Sequence, residues 1–430
     1  MRRGLVAVLA VLAITAGCGG HCAEIAARRR ALDRTGAAAG PHAQVVIPFA
    51  RANAFLAALV RDPPLRAPLA LPELGPFALA VRELTAQARR VELRPAAADR
   101  LRFAIELEID DAAGPVTALA VVAEVTPELV RAGDASELVA GFGPDNLVAV
   151  RPELGGDSGR ALVDAVARWL PAALRDHLPR AVLDRAAVAL AQYLTGQAYD
   201  LLRATVLHRL GELTRLRIRL PALPIARTAV TSTPDAMTID LTTDLPVRQG
   251  LGAAAAGSDD VIVRISQSTA AELANWSIAR GHLPQHYTRG LEPRADGEYR
   301  PRFDYLAGDP RRPVKIHVFQ DRGGCSYFQV GLRYQLAIVD DKLEVDVRDR
   351  LVESADASVA LEVALWLKQL LQGSLDSSYR AAAHTRLTIG GHRFVARVLG
   401  ATATGDELRF TLGFAAAPTY PNGQSDTVRP

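Results

Sequence analysis

Apolar and polar residues alternate along much of this chain, and at a few places the alternation gives way to a helical rhythm. Leu101, Phe103, Ile105, Leu107 and Ile109 form the cleanest run, with Arg102, Glu106, Glu108 and Asp110 on the other face. One buried and one wet face predict an antiparallel sheet covered on a single side. TALAVVAEV at 117–125 reads as a further strand. Val45, Ile47 and Phe49 alternate before ARANAFLAALV turns helical, and Val261, Val263 and Ile265 do so before SQSTAAELANWSIARG. That change of period is a strand feeding a helix. Asp62-Pro63-Pro64 stops the first helix. At the second, Ser266 competes with a Thr269/Glu272 capping box. Residues 158–213 read as helix divided by Pro171 and Pro179, with a soft point at Gly196, and residues 355–383 read as a second helix broken near Gly373. Loops are expected over about 141–159 and 281–313.

One strand pair is written twice. From Thr214 the chain reads TRLRIRLPALPIARTAVTSTPDAMTIDLTT, and from Thr385 it reads TRLTIGGHRFVARVLGATATGDELRFTLGF. Thr214, Arg215, Leu216 and Ile218 match Thr385, Arg386, Leu387 and Ile389; Thr231-x-Thr233-x-Asp235 matches Thr402-x-Thr404-x-Asp406, and Leu241 matches Leu412. With the two strand-to-helix starts, this predicts two similar halves, 44–248 and 259–415, joined by a weakly patterned link at 249–258. A tether occupies 19–43 and a tail 416–430.

Length and composition agree with a two-domain globular protein: 430 residues, 49% of them hydrophobic. The net charge is only +3, and the arginines are interleaved with carboxylates, so no phosphate-tracking stripe for nucleic acid is present. The N-terminus is a targeting segment. Arg2 and Arg3 precede LVAVLAVLAITA, which is short for a membrane-spanning helix, and Thr15-Ala16-Gly17-Cys18 resembles a lipobox. Residues 1–18 are therefore expected to direct lipidation of Cys18. The alternative is an ordinary cleaved signal with an incidental cysteine. Gly19, not Asp, follows, and resemblance to bacterial lipoproteins then implies an outer-membrane anchor, facing the periplasm or the cell surface. Cys22 and Cys325 remain. They either close a disulfide that pins the N-terminus to the second half or stay as two thiols.

Catalytic strings are few. Gly156-Asp157-Ser158-Gly159 looks like a serine-protease nucleophile loop, but it stands before a long helix, where Asp157 or Ser158 serves as an N-cap. His282 and His286 have ligand spacing, yet Pro284 between them argues against a helix to present them. Asp110-Asp111 and Asp259-Asp260 read as solvated pairs, and Arg89-Arg90 and Arg311-Arg312 as exposed ones. No catalytic residue, metal site or cofactor is expected, and the chain reads as a non-enzyme. What remains is apolar surface. A half-covered sheet around a helix can leave an elongated gap for an acyl chain, with Phe55, Leu56, Leu59, Leu273, Trp276 and Ile278 as its helical wall. The same side chains would equally pack a dry core.

This layout, with the start VIVRISQSTAAELANW, resembles the tubular lipid-binding superfamily of bactericidal/permeability-increasing and lipopolysaccharide-binding proteins. The resemblance covers nearly the whole mature chain. It implies an α+β fold of two similar halves, each a long helix wrapped by a curved antiparallel sheet, joined as a pseudo-dimeric boomerang. It also implies binding or transfer of lipid or another apolar ligand in one tube per half. The cysteine pair that clamps the N-terminal barrel of animal members has no equivalent here. The competing expectation is a non-catalytic envelope structural or assembly lipoprotein with a closed core; protein partners are not specified.

Overall fold

The computed structural model describes residues 21–33, 38–61, 66–70, 83–97, 99–126, 128–132, 137–141, 147–154, 157–175, 177–207, 224–253, 259–288, 292–322, 324–340, 342–355, 379–382, 384–389 and 392–416. Residues 21–33 are helical (α1). β1 (Ala43–Pro48) runs into α2 (Phe49–Arg61), followed by β2 (Arg66–Ala70), β3 (Glu83–Arg94), β4 (Leu101–Asp111), β5 (Gly114–Val125), β6 (Glu128–Ala132), β7 (Glu137–Gly141) and β8 (Leu147–Leu154). Then come α3 (Ser158–Trp169), α4 (Ala172–Arg175), α5 (Arg180–Gly196), α6 (Ala198–Leu202) and a π-helical turn, Arg203–Leu207, before β9 (Ile225–Ser232) and β10 (Ala236–Thr243). The second passage holds β11 (Val261–Ser266), α7 (Gln267–Ala279), β12 (Tyr299–Tyr305), β13 (Val314–Gln320), β14 (Tyr327–Val339) and β15 (Lys342–Ala355). It closes with β16 (Tyr379–Ala382), β17 (His384–Ile389), β18 (His392–Thr404) and β19 (Glu407–Ala416). The fold is α+β, with antiparallel sheets throughout.

The central sheet has the order β17-β18-β19-β11-β1-β10-β9, which reads alike outward from the β1–β11 pair. Val45 lies between Ile239 and Val263, and Val263 in turn faces Phe410. Ala43 pairs with Leu241 as Val261 pairs with Leu412. The helix starts match as well. The Phe49 amide donates to the Asp235 carbonyl at 2.9 Å, and the Gln267 amide to the Asp406 carbonyl at 2.8 Å. An N-terminal helical N–H lacks an intrahelical acceptor, so the hairpin-turn carbonyl satisfies it in both places. An asparagine on each helix also ties down a nearby strand. Asn53 exchanges hydrogen bonds with the Leu93 backbone (3.1 and 2.6 Å), and Asn275 does so with Phe303 (2.8 and 2.7 Å). An amide carries one donor and one acceptor group, as an exposed peptide requires, and so blunts a sheet edge.

Two further five-stranded sheets flank the centre, β2-β3-β4-β5-β8 and β12-β13-β14-β15-β16. Pro171 and Pro179 separate α3, α4 and α5, and the break after α5 falls at Gly196. Three expectations need correction. β8 occupies the loop expected over 141–159, because pairing there satisfies the outer backbone of β5. β12 lies inside the loop expected over 281–313; it is an edge strand, which is where Pro301 can sit. Tyr379–Ala382, expected to be helical, pairs with β15. The rest of that expected helix, 356–378, lies outside the described residues, as do the first-copy residues Thr214–Leu223 and the segment 1–20 with Cys18.

The link and tether also differ from expectation. Leu251 donates to the Pro41 carbonyl at 2.7 Å and Ala38 to that of Val247 at 2.8 Å. A Cβ on Gly250 would stand 2.6 Å from the Ala39 oxygen, so only glycine permits this close crossing. α1, expected as part of a tether, is a docked helix. At α7 the cap is Ser266, which accepts the Thr269 amide at 3.0 Å. Glu272, free of the expected capping box, binds Arg302 instead.

Candidate functional site

Apolar residues are buried differently before and after the 249–258 stretch. Before it, one cluster joins α2, β2 to β5, α3, α5, α6 and the π turn. Leu101, Phe103, Ile105, Leu107 and Ile109 are each 4% exposed or less. A gap wide enough for water would register as exposed area on its lining, so these side chains line none. After that stretch the closed cluster among the described residues is small: Tyr299, Val318 and Phe328, with Ile316, Val330 and Val352 against it. Beyond it, β14 and β15 carry an apolar ladder along one face, pairing Tyr334 with Val347, Leu336 with Val345 and Ile338 with Leu343. All six are half-buried. From Tyr334 to Ile338 this ladder extends about 13 Å, close to the roughly 15 Å of acyl chain in one bilayer leaflet.

The opposite face of the second sheet is polar. Alternation places Arg302 and Asp304 of β12 beside His317 and Lys315 of β13, and then Gln329 of β14. Asp304 and Lys315 are buried, as is His317. Arg302 meets Asp33 at 2.9 Å and Glu272 at 3.5 Å, while Arg248 meets Asp304 at 3.1 Å. The Tyr327 hydroxyl donates to Gln329 Oε1 at 2.9 Å, so the His317 Nδ1–H donates to Tyr327 Oη, also at 2.9 Å. His317 Nε2 is then the unprotonated nitrogen, buried without a hydrogen-bond partner among the described residues. Burial pushes the Glu272 and Asp304 carboxyls above their usual range.

Burial, reinforced by Arg302, Arg248, Lys315 and Arg28, lowers the His317 pKa to about 4. Unfolded histidine takes its proton near pH 6.5, the folded ring only near 4. Between those values the unfolded state binds more protons, so this residue makes stability fall as pH falls, by up to about 3 kcal/mol. Glu272 and Asp304, with raised pKa values, act in the opposite sense. His317→Gln should therefore flatten the decline from pH 6.5 to 4 in guanidinium midpoints, and parallel wild-type and variant profiles would refute the assignment.

α1 docks across this polar face. Cys22 and Cys325 form a disulfide, with Cα atoms 5.3 Å apart. Arg28 lies over the Tyr327 ring at 5.2 Å and Arg29 over Phe319 at 5.9 Å. Arg29 also pairs with Asp321. Arg302 donates to the Leu32 carbonyl at 2.9 Å.

Of the sequence-predicted wall residues, Leu56 belongs to the closed first core, Phe55 is half-buried beside it, and the Leu59 side chain lies outside the described residues. Leu273 is half-buried; Trp276 stands 5.4 Å from the His282 ring and 5.9 Å from Arg280. Ile278 is buried. The Ser158 hydroxyl donates to the Ala118 carbonyl at 3.1 Å, and Asp157 makes no capping bond, so neither plays the expected cap role. His282 and His286 lie past the end of α7, and His286 is 3.8 Å from Asp321. The Asp111 carboxylate is not solvated: its side chain is 1% exposed and accepts the Trp169 indole N–H at 2.6 Å. Asp260 binds Arg51. Arg89 and Arg90 pair with Glu108 and Glu92, and Arg312 with Asp349 and Glu353. The β14–β15 ladder alternates plainly in the sequence. The polar face was missed because Arg302 and Asp304 sit on β12, expected as loop, and Lys315 and His317 on β13, whose apolar alternation marks only its other face.

No protein-family model and no curated protein matches the sequence. Among solved structures, P47 of Clostridium botulinum E1 overlaps at TM-score 0.38 and 9% identity, covering 86% of this chain and 98% of that one. P47 from Clostridium botulinum A2 gives 0.35 and 9%, covering 86% and 97%. A lipopolysaccharide binding protein gives 0.27 and 10%, covering 88% and 100%. Overlaps of this quality leave the functional reading to the geometry.

Proposed function

We propose that this chain is a non-catalytic, lipid-anchored outer-membrane protein of two related halves that holds an acyl chain in its second half. The half-buried β14–β15 ladder carries this reading, since a mainly aliphatic row of that length offers an acyl chain a surface to lie along. Cys18 would bear the anchor. The first half, with its closed core, would serve as a structural body and not as a second tube. That closed core is also the observation favouring the alternative, a structural or assembly lipoprotein that binds no free lipid. Native mass spectrometry of the mature protein, followed by lipid extraction, separates the two. One exchangeable lipid per chain is expected, beyond the covalent anchor. Leu336→Glu should abolish it while leaving the melting temperature within a few degrees. A lipid-free mass after incubation with envelope lipids would remove the binding reading.

A further inference from the structure

A cavity of about 270 Å³ lies between α1, α7, β12 and β13, lined by Arg29, Arg300, Arg302, Asp33, Ile278 and Phe319 among others. Its charged lining is three guanidinium groups against one carboxylate. Arg29 and Arg302 are held in place, by Asp321 and Phe319 for the first and by Asp33, Glu272 and the Leu32 carbonyl for the second. Arg302 Nε is buried without a hydrogen-bond partner among the described residues. Arg300, half-buried, makes no ion pair among the described residues. Asp321, Asp33 and Glu272 pair with Arg29 and Arg302, which leaves the Arg300 guanidinium and the buried Arg302 Nε as the donors that a bound anion would take up. Guanidinium forks match phosphate oxygens two at a time.

We propose that this cavity binds a phosphate ester. Its volume falls just under the range of about 300–1,000 Å³ usual for small-molecule clefts, room for a phosphate and a few carbons but not a whole lipid. The position agrees with a headgroup source, a point that rests on the lipid-anchor reading. Cys22 follows Cys18 by four residue steps, a reach of at most ~14 Å. Arg29 then lies about 10 Å along α1 from Cys22. A free phosphate monoester would offer the same chemistry without the membrane.

Isothermal titration of the full chain in nonionic detergent, with dihexanoyl phosphatidate, glycerol 3-phosphate and inorganic phosphate in turn, tests this. All three share the phosphate, and the expected result is saturable binding that weakens with added salt. Arg300→Ala should lose roughly tenfold or more in affinity, as removal of a charge-assisted partner does, with Arg300→Lys in between. Phosphatidate bound more tightly than the other two marks a lipid headgroup site; equal affinities mark a free-phosphate site. Absence of binding by all three, or binding unaltered in both Arg300→Ala and Arg29→Ala, overturns the proposal. The acyl-chain reading is scored separately, by the Leu336→Glu mass measurement, so either can fail alone.

Discussion

Cys22→Ser is expected to lower the stability of the oxidised protein by about 5 kcal/mol, the upper end of what one disulfide contributes. The bond spans 303 residues of sequence, and the loop entropy it removes from the unfolded chain grows with that span. Few disulfides enclose so much of their chain. The folded state also loses a tether, because α1 would then be held to the second sheet by Arg29 on Asp321, Arg302 on Asp33 and Leu32, two cation–π contacts, and the packing of Ile25 and Leu32 on Phe319 and Tyr327. Denaturant midpoints of wild type, Cys22→Ser and Cys325→Ser should show the two variants equally destabilised. A shift below about 1 kcal/mol, with trypsin newly cutting at Arg28–Arg30, would mean that only α1 is released and that the loop-entropy account fails here.

Lys315→Met is expected to cost about 3–5 kcal/mol, the penalty for removing one partner of a buried ion pair. Lys315 is 3% exposed, and its Nζ stands 2.6 Å from Asp309 and 2.5 Å from Glu353. Methionine fills nearly the same volume, so little of the loss is packing. What is left is Glu353, still held by Gln329 at 2.7 Å and Arg312 at 3.4 Å but short of its main counter-charge. Lys315, helped by the Arg312 amide, also holds the Asp309 carboxyl down to about 2. That carboxyl's share of stability is present above the ordinary carboxylate pKa and is lost as pH falls through 2, and the variant should lack the part that Lys315 supplies. Lys315→Met with Glu353→Gln should recover more than half of the loss. A double variant no better than the single one would show that the charge pairing is not the cause.

Much of the framework was legible in the residue pattern. The repeat pairing Thr231-x-Thr233-x-Asp235 with Thr402-x-Thr404-x-Asp406 marked two hairpins whose turn carbonyls receive the first amides of α2 and α7. Pro171 and Pro179 marked the helix breaks. β8 and β12 were not legible, because an edge strand is held by its neighbour's backbone as much as by its own side chains. The capping residue of α7 had two sequence solutions, and the choice of Ser266 freed Glu272 for Arg302. The wall residues on α2 and α7 share the same apolar character in sequence, yet Leu56 lies in a closed core while Trp276 lies against Arg280 and His282.

The sequence by itself determined the periods, the breaks, the repeated hairpins and the presence of two unassigned cysteines, since these depend on backbone geometry over a few residues. Only the tertiary structure decided that those cysteines meet, that one half's core is closed while the other keeps a half-buried ladder, and that α1 covers a polar sheet face. It alone gathered Arg29, Arg300 and Arg302 around one cavity. Each of these results from contacts between residues far apart in the chain, where packing and charge pairing select among faces that local pattern leaves equivalent.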